Sequence, residues 1–277
     1  MKKRHFSILV SALLIVGLFT GCGQSSKTSE TATNSSTKEV TLKVGASVTP
    51  HAEILKYIQP ELKKEGVNLE IVTLDDEGQL NPALQEKQID ANYFQHVPYL
   101  EAVAKEKGYD FVVAGKIHVE PIGFYSSKIK SKDQIKDGAN IAIPNNPSNE
   151  YRALVLLQAQ GLIKIKDGIK NYSATPNDIV DNPKKLKFTE VDVAQLPRVL
   201  QDVDGAIINT NIVLEAKIDP NSALFREDSN SPYANDVVVR KGDENRAEIK
   251  KLVKALTSDD VKKFLKEKYG VAVVPAF

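Results

Sequence analysis

The sequence predicts an α/β protein with two lobes, each a mostly parallel sheet flanked by helices. Short apolar strands alternate with helices, the pattern typical of βαβ units. This alternation runs to about residue 125 and restarts near residue 139, which indicates two blocks. The chain of 277 residues is long enough for both, because domains usually hold ~100–200 residues.

The first block begins with a strand in which apolar and polar residues alternate, Val40–Ala46. The next segment predicts a helix that carries Pro50 in its first turn, where the missing N–H costs least. A later helix ends at Gly108, a residue that suits a helix C-terminus. The other predicted elements are strands over Val67–Val72, Ile89–Tyr93, Phe111–Ala114 and Ile122–Tyr125, and helices over Pro82–Lys87 and Val97–Lys107.

The second block begins with the strand Ala139–Pro144 and a helix over Asn149–Gln160, for which Ser148 is the predicted N-cap. The buried strand Gly205–Ile208 runs into Asn209-Thr210-Asn211. The remaining predicted elements are Leu162–Ile165, Phe188–Val191, a short helix over Ala194–Leu200, the strand Val237–Arg240, and helices over Glu244–Leu256 and Asp259–Tyr269.

The chain is expected to cross between the lobes twice, near residues 120–126 and 230–238, and the final helices return to the first lobe. Lobe 1 is therefore predicted to hold residues 40–121 and 236–277. Lobe 2 is predicted to hold residues 122–235.

The N-terminus has the layout of a bacterial secretory signal. A basic start precedes an uncharged apolar run over residues 6–21, which is shorter than the ~20 apolar residues of a comfortable membrane span. Cys22, the only cysteine, follows Phe19-Thr20-Gly21 in an arrangement that resembles a lipobox. We expect residues 1–21 to be a lipoprotein signal peptide and Cys22 to be lipidated. The alternative is an ordinary signal peptide with an incidental cysteine.

Residues 22–39 are rich in Ser and Thr without apolar periodicity, which predicts a flexible tether.

The charge of the chain after cleavage bears on the class of protein. The signal contains three basic residues and no acidic one, so the mature chain carries slightly more acid than base. That balance argues against a nucleic-acid binder. The expected location is the extracytoplasmic face of the cell membrane, with the lipid as anchor.

Seven segments between residue 50 and residue 235 match the pattern of one known family, in family order. They are PHAEIL (50–55), DANYFQHVPYL (90–100), IPNNPSNEYRALVLLQ (143–158), NPKKLKF (182–188), QLPRVL (195–200), INTN (208–211) and SPYAN (231–235). These segments resemble the methionine-binding lipoproteins of bacterial ABC importers, the NlpA/MetQ-type family. The resemblance implies a periplasmic-binding-protein-like fold with a hinge, a ligand in the cleft and no chemistry on the ligand. It implies an ABC permease and ATPases on separate chains, no cofactor, and a monomer.

An amino-acid ligand needs a cation for its carboxylate and acceptors for its ammonium group. Arg152 is the best carboxylate partner, because its guanidinium matches two oxygens in one plane. Asn149 offers a second donor or a helix cap. Asn209, Asn211 and Asn235 are expected at strand ends facing the cleft, where ligands of open α/β sheets bind.

The matched segment over 90–100 predicts an aromatic wall from Phe94, His96 and Tyr99. Phe94 and His96 are two residues apart on an extended segment and therefore share a face. The resemblance implies that this face lies in the pocket.

Three departures from the family pattern bear on the ligand. Glu77 stands where the family usually has a Tyr that lines the pocket, Tyr151 replaces a small residue, and Ile212 replaces another Tyr. A buried carboxylate beside a thioether is poorly matched, whereas it suits a ligand with an added cation or amide. The ligand is therefore either methionine, with Glu77 turned to solvent, or a related polar amino acid or short peptide.

Two other classes compete with an amino-acid binder. A metal-binding importer lipoprotein would use His51, His96 and His118 with Glu53 and Glu120, but these lack HxxxH or HExxH spacing. An enzyme is not expected, because the chain lacks a G-x-S-x-G elbow and a phosphate-binding loop.

Overall fold

A computed structural model of the protein describes residues 39–74, 76–170, 172–228 and 231–277. The predicted signal peptide, Cys22 and nearly all of the predicted tether lie outside these residues. In the part of the chain that is described, no helix has both the length and the apolarity needed to cross a bilayer.

The strands in the described residues alternate with the helices along the chain. The strands are β1 (Val40–Ala46), β2 (Val67–Thr73), β3 (Ala91–His96), β4 (Phe111–Val119), β5 (Gly123–Tyr125), β6 (Asn140–Pro144), β7 (Lys164–Ile165), β8 (Ile179–Asp181), β9 (Lys187–Val191), β10 (Gly205–Ile208), β11 (Phe225–Arg226), β12 (Ala234–Arg240) and β13 (Val274–Pro275). The α-helices are α1 (Glu53–Lys64), α2 (Leu80–Gln85), α3 (Val97–Lys107), α4 (Pro147–Ala159), α5 (Leu196–Val199), α6 (Thr210–Glu215), α7 (Ala247–Leu256) and α8 (Asp259–Tyr269).

The strands form two main sheets, one in each lobe. The six-stranded sheet of the first lobe has the order β13-β4-β12-β3-β1-β2, and the five-stranded sheet of the second lobe has the order β11-β5-β10-β6-β9. The two-lobed α/β class predicted from the sequence is confirmed.

Both sheets are mixed rather than mostly parallel. In the first lobe β3-β1-β2 are parallel, but β12 and β13 run antiparallel to their neighbours. In the second lobe β10-β6-β9 are parallel, whereas β5 and β11 are antiparallel to the strands they pair with. Of these antiparallel strands, β5, β11 and β12 lie next to the two crossings between lobes, whereas β13 is the last strand and follows α8.

Each sheet is covered on both faces, which explains why its strands are largely apolar. In the first lobe α1, α7 and α8 pack over one face through a core that includes Leu42, Leu55 and Leu252. A smaller cluster around Leu84 and Leu100 covers the other face with α2 and α3.

In the second lobe α4 buries its apolar residues against one face of the sheet. The helices α5 and α6 cover the opposite face through Leu196 and Val213. The sheet is therefore covered on both faces, and the ends of its strands are left to meet the first lobe.

The start of one helix, α4, differs from the sequence prediction. The helix α4 starts at Pro147, and its N-cap is Asn146, whose side chain accepts from the backbone N–H of Asn149. Ser148 lies inside the helix and is not the cap. Proline at the first helical position leaves no unmet donor, so the helix extends two residues further than predicted.

Asp236 is a buried carboxylate that makes no hydrogen bond with a described residue, and it is 1% exposed. Burial raises the pKa of Asp236 from 3.8 to about 7, and Lys116 opposes the rise. The folded state thus holds this proton more tightly than the unfolded state, so stability is lost as pH rises from about 4 to about 7.

Replacing Asp236 with asparagine is expected to raise the free energy of unfolding above pH 7 by about 2–4 kcal/mol, at 1.36 kcal/mol per pKa unit. Below pH 4 the two proteins are expected to be equally stable. Urea unfolding at pH 4 and pH 8 measures both values, with Asp133→Asn as the exposed control. A variant that gains nothing at pH 8 would show that folding does not raise the pKa of Asp236.

Candidate functional site

A cavity of about 600 Å³ lies between the two lobes. It is lined by residues that precede α2, by the end of β3, by the start of α4 and by the start of α6. The structure brings all nine residues of the sequence-predicted binding site to this cavity: Glu77, Phe94, His96, Tyr99, Asn149, Arg152, Asn209, Asn211 and Asn235.

Arg152 lies in the second turn of α4 and is 2% exposed. Its Nε and Nη2 donate to the carboxylate of Glu227, with Nε–Oε1 at 2.9 Å and Nη2–Oε2 at 2.5 Å. Nη2 also donates to the carbonyl oxygen of Glu120 at 2.8 Å. Glu120 and Glu227 lie on the two segments that cross between the lobes, so Arg152 ties both crossings together. Its Nη1 donates to no described residue.

Asn149 connects the two lobes through its side-chain oxygen. His96 is the N-cap of α3, and its Nδ1 accepts from the backbone N–H of Tyr99. The other ring nitrogen of His96, Nε2, must then carry the proton that it donates to Asn149 Oδ1 at 3.2 Å. Burial, and then the charge of Arg152, lower the pKa of His96 to about 3, so the ring is neutral.

Asn209, which also lines the cavity, has a side-chain oxygen that no described residue satisfies. It is the N-cap of α6, directly after β10, and its Nδ2 donates to Asn149 Oδ1 at 2.9 Å. The Oδ1 of Asn209 is buried and accepts no hydrogen bond from a described residue. A buried acceptor without a donor is costly, and an ammonium group in the cavity would satisfy it.

Glu77 is half-buried and lines the cavity. Its Oε1 accepts from Asn211 Nδ2 at 3.0 Å, a second hydrogen bond between the lobes. Burial, and then the charges of Glu215 and Glu120, raise the pKa of Glu77 to about 7. Ser47 lies close enough to oppose part of this rise, although its hydroxyl makes no hydrogen bond of normal geometry with a described residue.

Asn235 reaches the cavity from a strand end that sequence reasoning did not anticipate. It lies at the start of β12 rather than after a strand, and it pairs with His96 at the end of β3. Because β12 runs antiparallel to β3, its beginning and the carboxyl end of β3 share one edge of the sheet. Its side-chain oxygen accepts from His51 Nε2 at 3.2 Å.

A buried cluster of two histidines and a carboxylate lies beside the cavity. One ligand atom each from His51, His118 and Glu120 lies within 4.8 Å of the other two. His118 Nε2 is 2.7 Å from Glu120 Oε1, and its Nδ1 is hydrogen-bonded to the hydroxyl of Tyr93. His51 Nε2 is 3.3 Å from the same carboxylate oxygen.

These contacts fit a proton network better than a metal site. The 2.7 Å separation of His118 Nε2 and Glu120 Oε1 is a hydrogen-bond distance, so these two groups satisfy each other without an ion. Burial lowers the pKa of His118 to about 3 and that of His51 to about 4, and burial raises the pKa of Glu120. Of the other candidate ligands, His96 contacts Asn149, and Glu53 pairs with Lys268.

The aromatic wall involves a ring that sequence reasoning missed. Phe94 and Tyr99 meet edge to face, with ring centroids 6.0 Å apart. Tyr233 lies behind the lining residues, where Arg152 stacks over its ring at 4.4 Å and His96 meets it edge-on at 5.0 Å. Tyr233 therefore supports both residues, a role that no local sequence signal indicates.

The departures from the family pattern separate into two kinds. Glu77 and Ile212 line the cavity. Tyr151 does not line it, because its ring packs against Tyr172. Glu215, which sequence reasoning did not single out, lines the cavity from the end of α6, one turn after Asn211.

The chain resembles proteins of known family and structure along most of its length. A family model described as NlpA lipoprotein matches residues 42–277. The methionine-binding lipoprotein MetQ of Bacillus subtilis is 40% identical over 280 residues, and the match covers 99% of each chain. The D-methionine-binding lipoprotein MetQ of Salmonella typhi is 41% identical over 256 residues, which is 91% of this chain and 90% of that protein.

Among solved structures, a nutrient binding protein from Burkholderia cenocepacia bound to methionine superposes with a TM-score of 0.82. It is 47% identical to this chain, and the match covers 85% of this chain and 100% of the other.

Proposed function

Because the chain belongs to the NlpA lipoprotein family, we propose that it is the lipid-anchored substrate-binding protein of an ABC importer. Its ligand is L-methionine or a related amino acid or short peptide, bound in the cavity between the lobes. The relatives named above are binding proteins, and the proposed role of this chain is likewise capture without chemistry.

One observation carries the proposal: the cavity offers complementary partners for a zwitterion. The Nη1 edge of Arg152 is free to donate to a carboxylate, and a guanidinium binds carboxylates strongly. The free Oδ1 of Asn209 can accept from an ammonium group. Phe94 and Tyr99 supply apolar surface from the opposite lobe, as is usual for small-molecule sites.

Ligand capture is proposed to work by closure of the lobes. The bonds His96–Asn149 and Glu77–Asn211 join the two sides of the cleft. A ligand that contacts both sides stabilises the closed state by its differential affinity for that state. Lipidation of Cys22 would keep the binder at the membrane surface, where a separate permease with its ATPases would receive the ligand.

Calorimetric titration of the purified full-length lipoprotein with L-methionine, D-methionine and short methionine peptides tests the proposal. We expect saturable binding at one site with a Kd of about 1 μM or lower, which corresponds to about 8 kcal/mol. Absence of binding by every member of the panel would contradict it.

The alternative is a metal-ion-binding lipoprotein, and the His51–His118–Glu120 cluster is the observation in its favour. Titration with Zn²⁺ and Mn²⁺ in the same experiment separates the two functions. We expect no tight metal binding, and a stoichiometric metal that His118→Ala removes would favour the alternative.

A further inference from the structure

The ionisable residues around the cavity are unbalanced in charge. Arg152 is the only lysine or arginine among the described lining residues, and it is already paired with Glu227. His96 is neutral. The lining carboxylates are Asp76, Glu77, Glu120, Asp192 and Glu215. The cavity is therefore short of positive charge before a ligand enters.

Two of these carboxylates face the cavity from opposite lobes. Glu77 precedes α2 in the first lobe, and Glu215 ends α6 in the second. Glu77 accepts from the side-chain amide of Asn211, and Glu215 accepts from the backbone N–H of Thr49 at 3.4 Å. Both donors are neutral groups, so neither carboxylate has a cationic partner among the described hydrogen bonds.

The surroundings make these groups receptive to a cation. By solvent accessibility Glu77 is half-buried and Glu215 is exposed, although both line the cavity. Loss of hydration comes first among the causes that raise the pKa of both carboxyls, and repulsion from neighbouring carboxylates adds to it. A nearby positive charge reverses such an effect, because it favours the ionised form. Beside Glu77, the 1% exposed Ser47 lines the cavity with a hydroxyl oxygen that makes no hydrogen bond of normal geometry to any residue the structure describes.

We infer that the ligand carries a cationic group remote from its carboxylate, and that this group binds between Glu77 and Glu215. The inference rests on the proposed function and narrows its ligand class. With the carboxylate at Arg152 and the cation between carboxylates of both lobes, the ligand would itself supply the charge that holds the cleft closed.

This chemistry has two possible sources. One is an amino acid whose side chain ends in a sulfonium or ammonium group. The other is a dipeptide, in which the N-terminal ammonium is displaced by one residue from the carboxylate. Both place a positive charge several bonds away from the group that Arg152 would bind.

Two matched pairs of ligands test the inference in calorimetry. L-methionine and S-methyl-L-methionine differ by one methyl group and one positive charge. N-acetyl-L-methionine and glycyl-L-methionine differ by one ammonium group. For at least one pair we expect the cationic member to bind at least about tenfold more tightly than its neutral partner. An opposite charge next to a carboxylate is worth ~1–3 pKa units, and each unit corresponds to a factor of ten in affinity. The pair that shows the difference identifies the source.

The variant Glu77→Gln removes the charge and keeps an oxygen for Asn211. In this variant the Kd values of the cationic and the neutral ligand of that pair are expected to differ by no more than about twofold. Glu106→Gln, at an exposed position on α3, is the control that should keep the wild-type ratio. Glu215→Gln provides a second test on the opposite lobe should Glu77→Gln fold poorly.

Two results would overturn the inference: no preference for the cationic member of either pair, or a preference that survives in both glutamine variants. L-methionine binding without charge discrimination would leave the proposed function intact. Failure of all four ligands to bind would instead contradict the proposed function itself.

Discussion

Replacing Arg152 with alanine is expected to weaken ligand binding by about a hundredfold or more, since losing one partner of a buried charge pair costs about 2–5 kcal/mol. The same change is expected to lower the free energy of unfolding by about 3–5 kcal/mol, because a buried carboxylate is left without its cation. Arg152 is 3% and Glu227 is 15% exposed at the side chain, so water compensates little.

The two effects can be separated with a second substitution. In the double variant Arg152→Ala/Glu227→Gln, the uncompensated charge is gone, and part of the stability is expected to return. Binding is not expected to return, because the carboxylate partner of the ligand is still missing. Urea unfolding and calorimetry measure the two quantities independently.

Arg198→Ala is the matched control, since Arg198 is exposed and bonded only to Gln195 among the described residues. It should change stability by no more than about 0.5 kcal/mol and leave affinity unchanged. A folded Arg152→Ala protein with wild-type affinity would show that the ligand carboxylate binds elsewhere.

Replacing Glu120 with alanine is expected to lower the free energy of unfolding by about 1–3 kcal/mol. Glu120 Oε1 faces the Nε2 of both His51 and His118, and both histidines are 1% exposed or less. His51 Nε2 keeps the side-chain oxygen of Asn235 as an acceptor, whereas the buried N–H of His118 loses its acceptor, which costs about 1–3 kcal/mol.

Glu120→Gln separates the hydrogen bonds from the charge. The amide keeps one acceptor oxygen, and the pKa of Glu120 is already raised, chiefly by burial, so the carboxylate gains little from being ionised. We expect a loss of about 1 kcal/mol or less. Urea unfolding of both variants checks this, and equal losses would show that charge rather than hydrogen bonding holds the cluster.

Much of the secondary structure follows from local sequence signals. The strand Gly205–Ile208 and the helix Asp259–Tyr269 have the bounds that their apolar pattern predicts. The helix α3 ends at Gly108, which adopts φ +74°, a conformation that glycine reaches without strain. In these segments, propensity, pattern and capping agree.

The helix α6 was missed for a physical reason. Its first residues follow Asn209 and include Thr210 and Asn211, which are typical of turns, and six residues are too few for a helical period to appear. The mixed direction of the sheets was missed because the direction in which a strand enters a sheet depends on tertiary packing, which the residues of the strand do not encode.

The candidate site likewise combines features that the local sequence predicts with features that depend on tertiary packing. The matched segments brought Arg152, His96 and the asparagines to one cavity, since each segment places its residue at an element end. The pairing of Arg152 with Glu227 joins residues 75 positions apart, and no local pattern encodes it. The position of Glu77 relative to Glu215 likewise depends on how the two lobes meet.

A crystal structure of the protein with the tightest ligand from the calorimetric panel would show how the interlobe cavity holds that ligand. We expect the ligand carboxylate at Arg152 Nη1, its amine or amide at Asn209 Oδ1, and its side chain against Phe94. A ligand bound outside the interlobe cavity, or one whose carboxylate lies away from Arg152, would contradict this expectation.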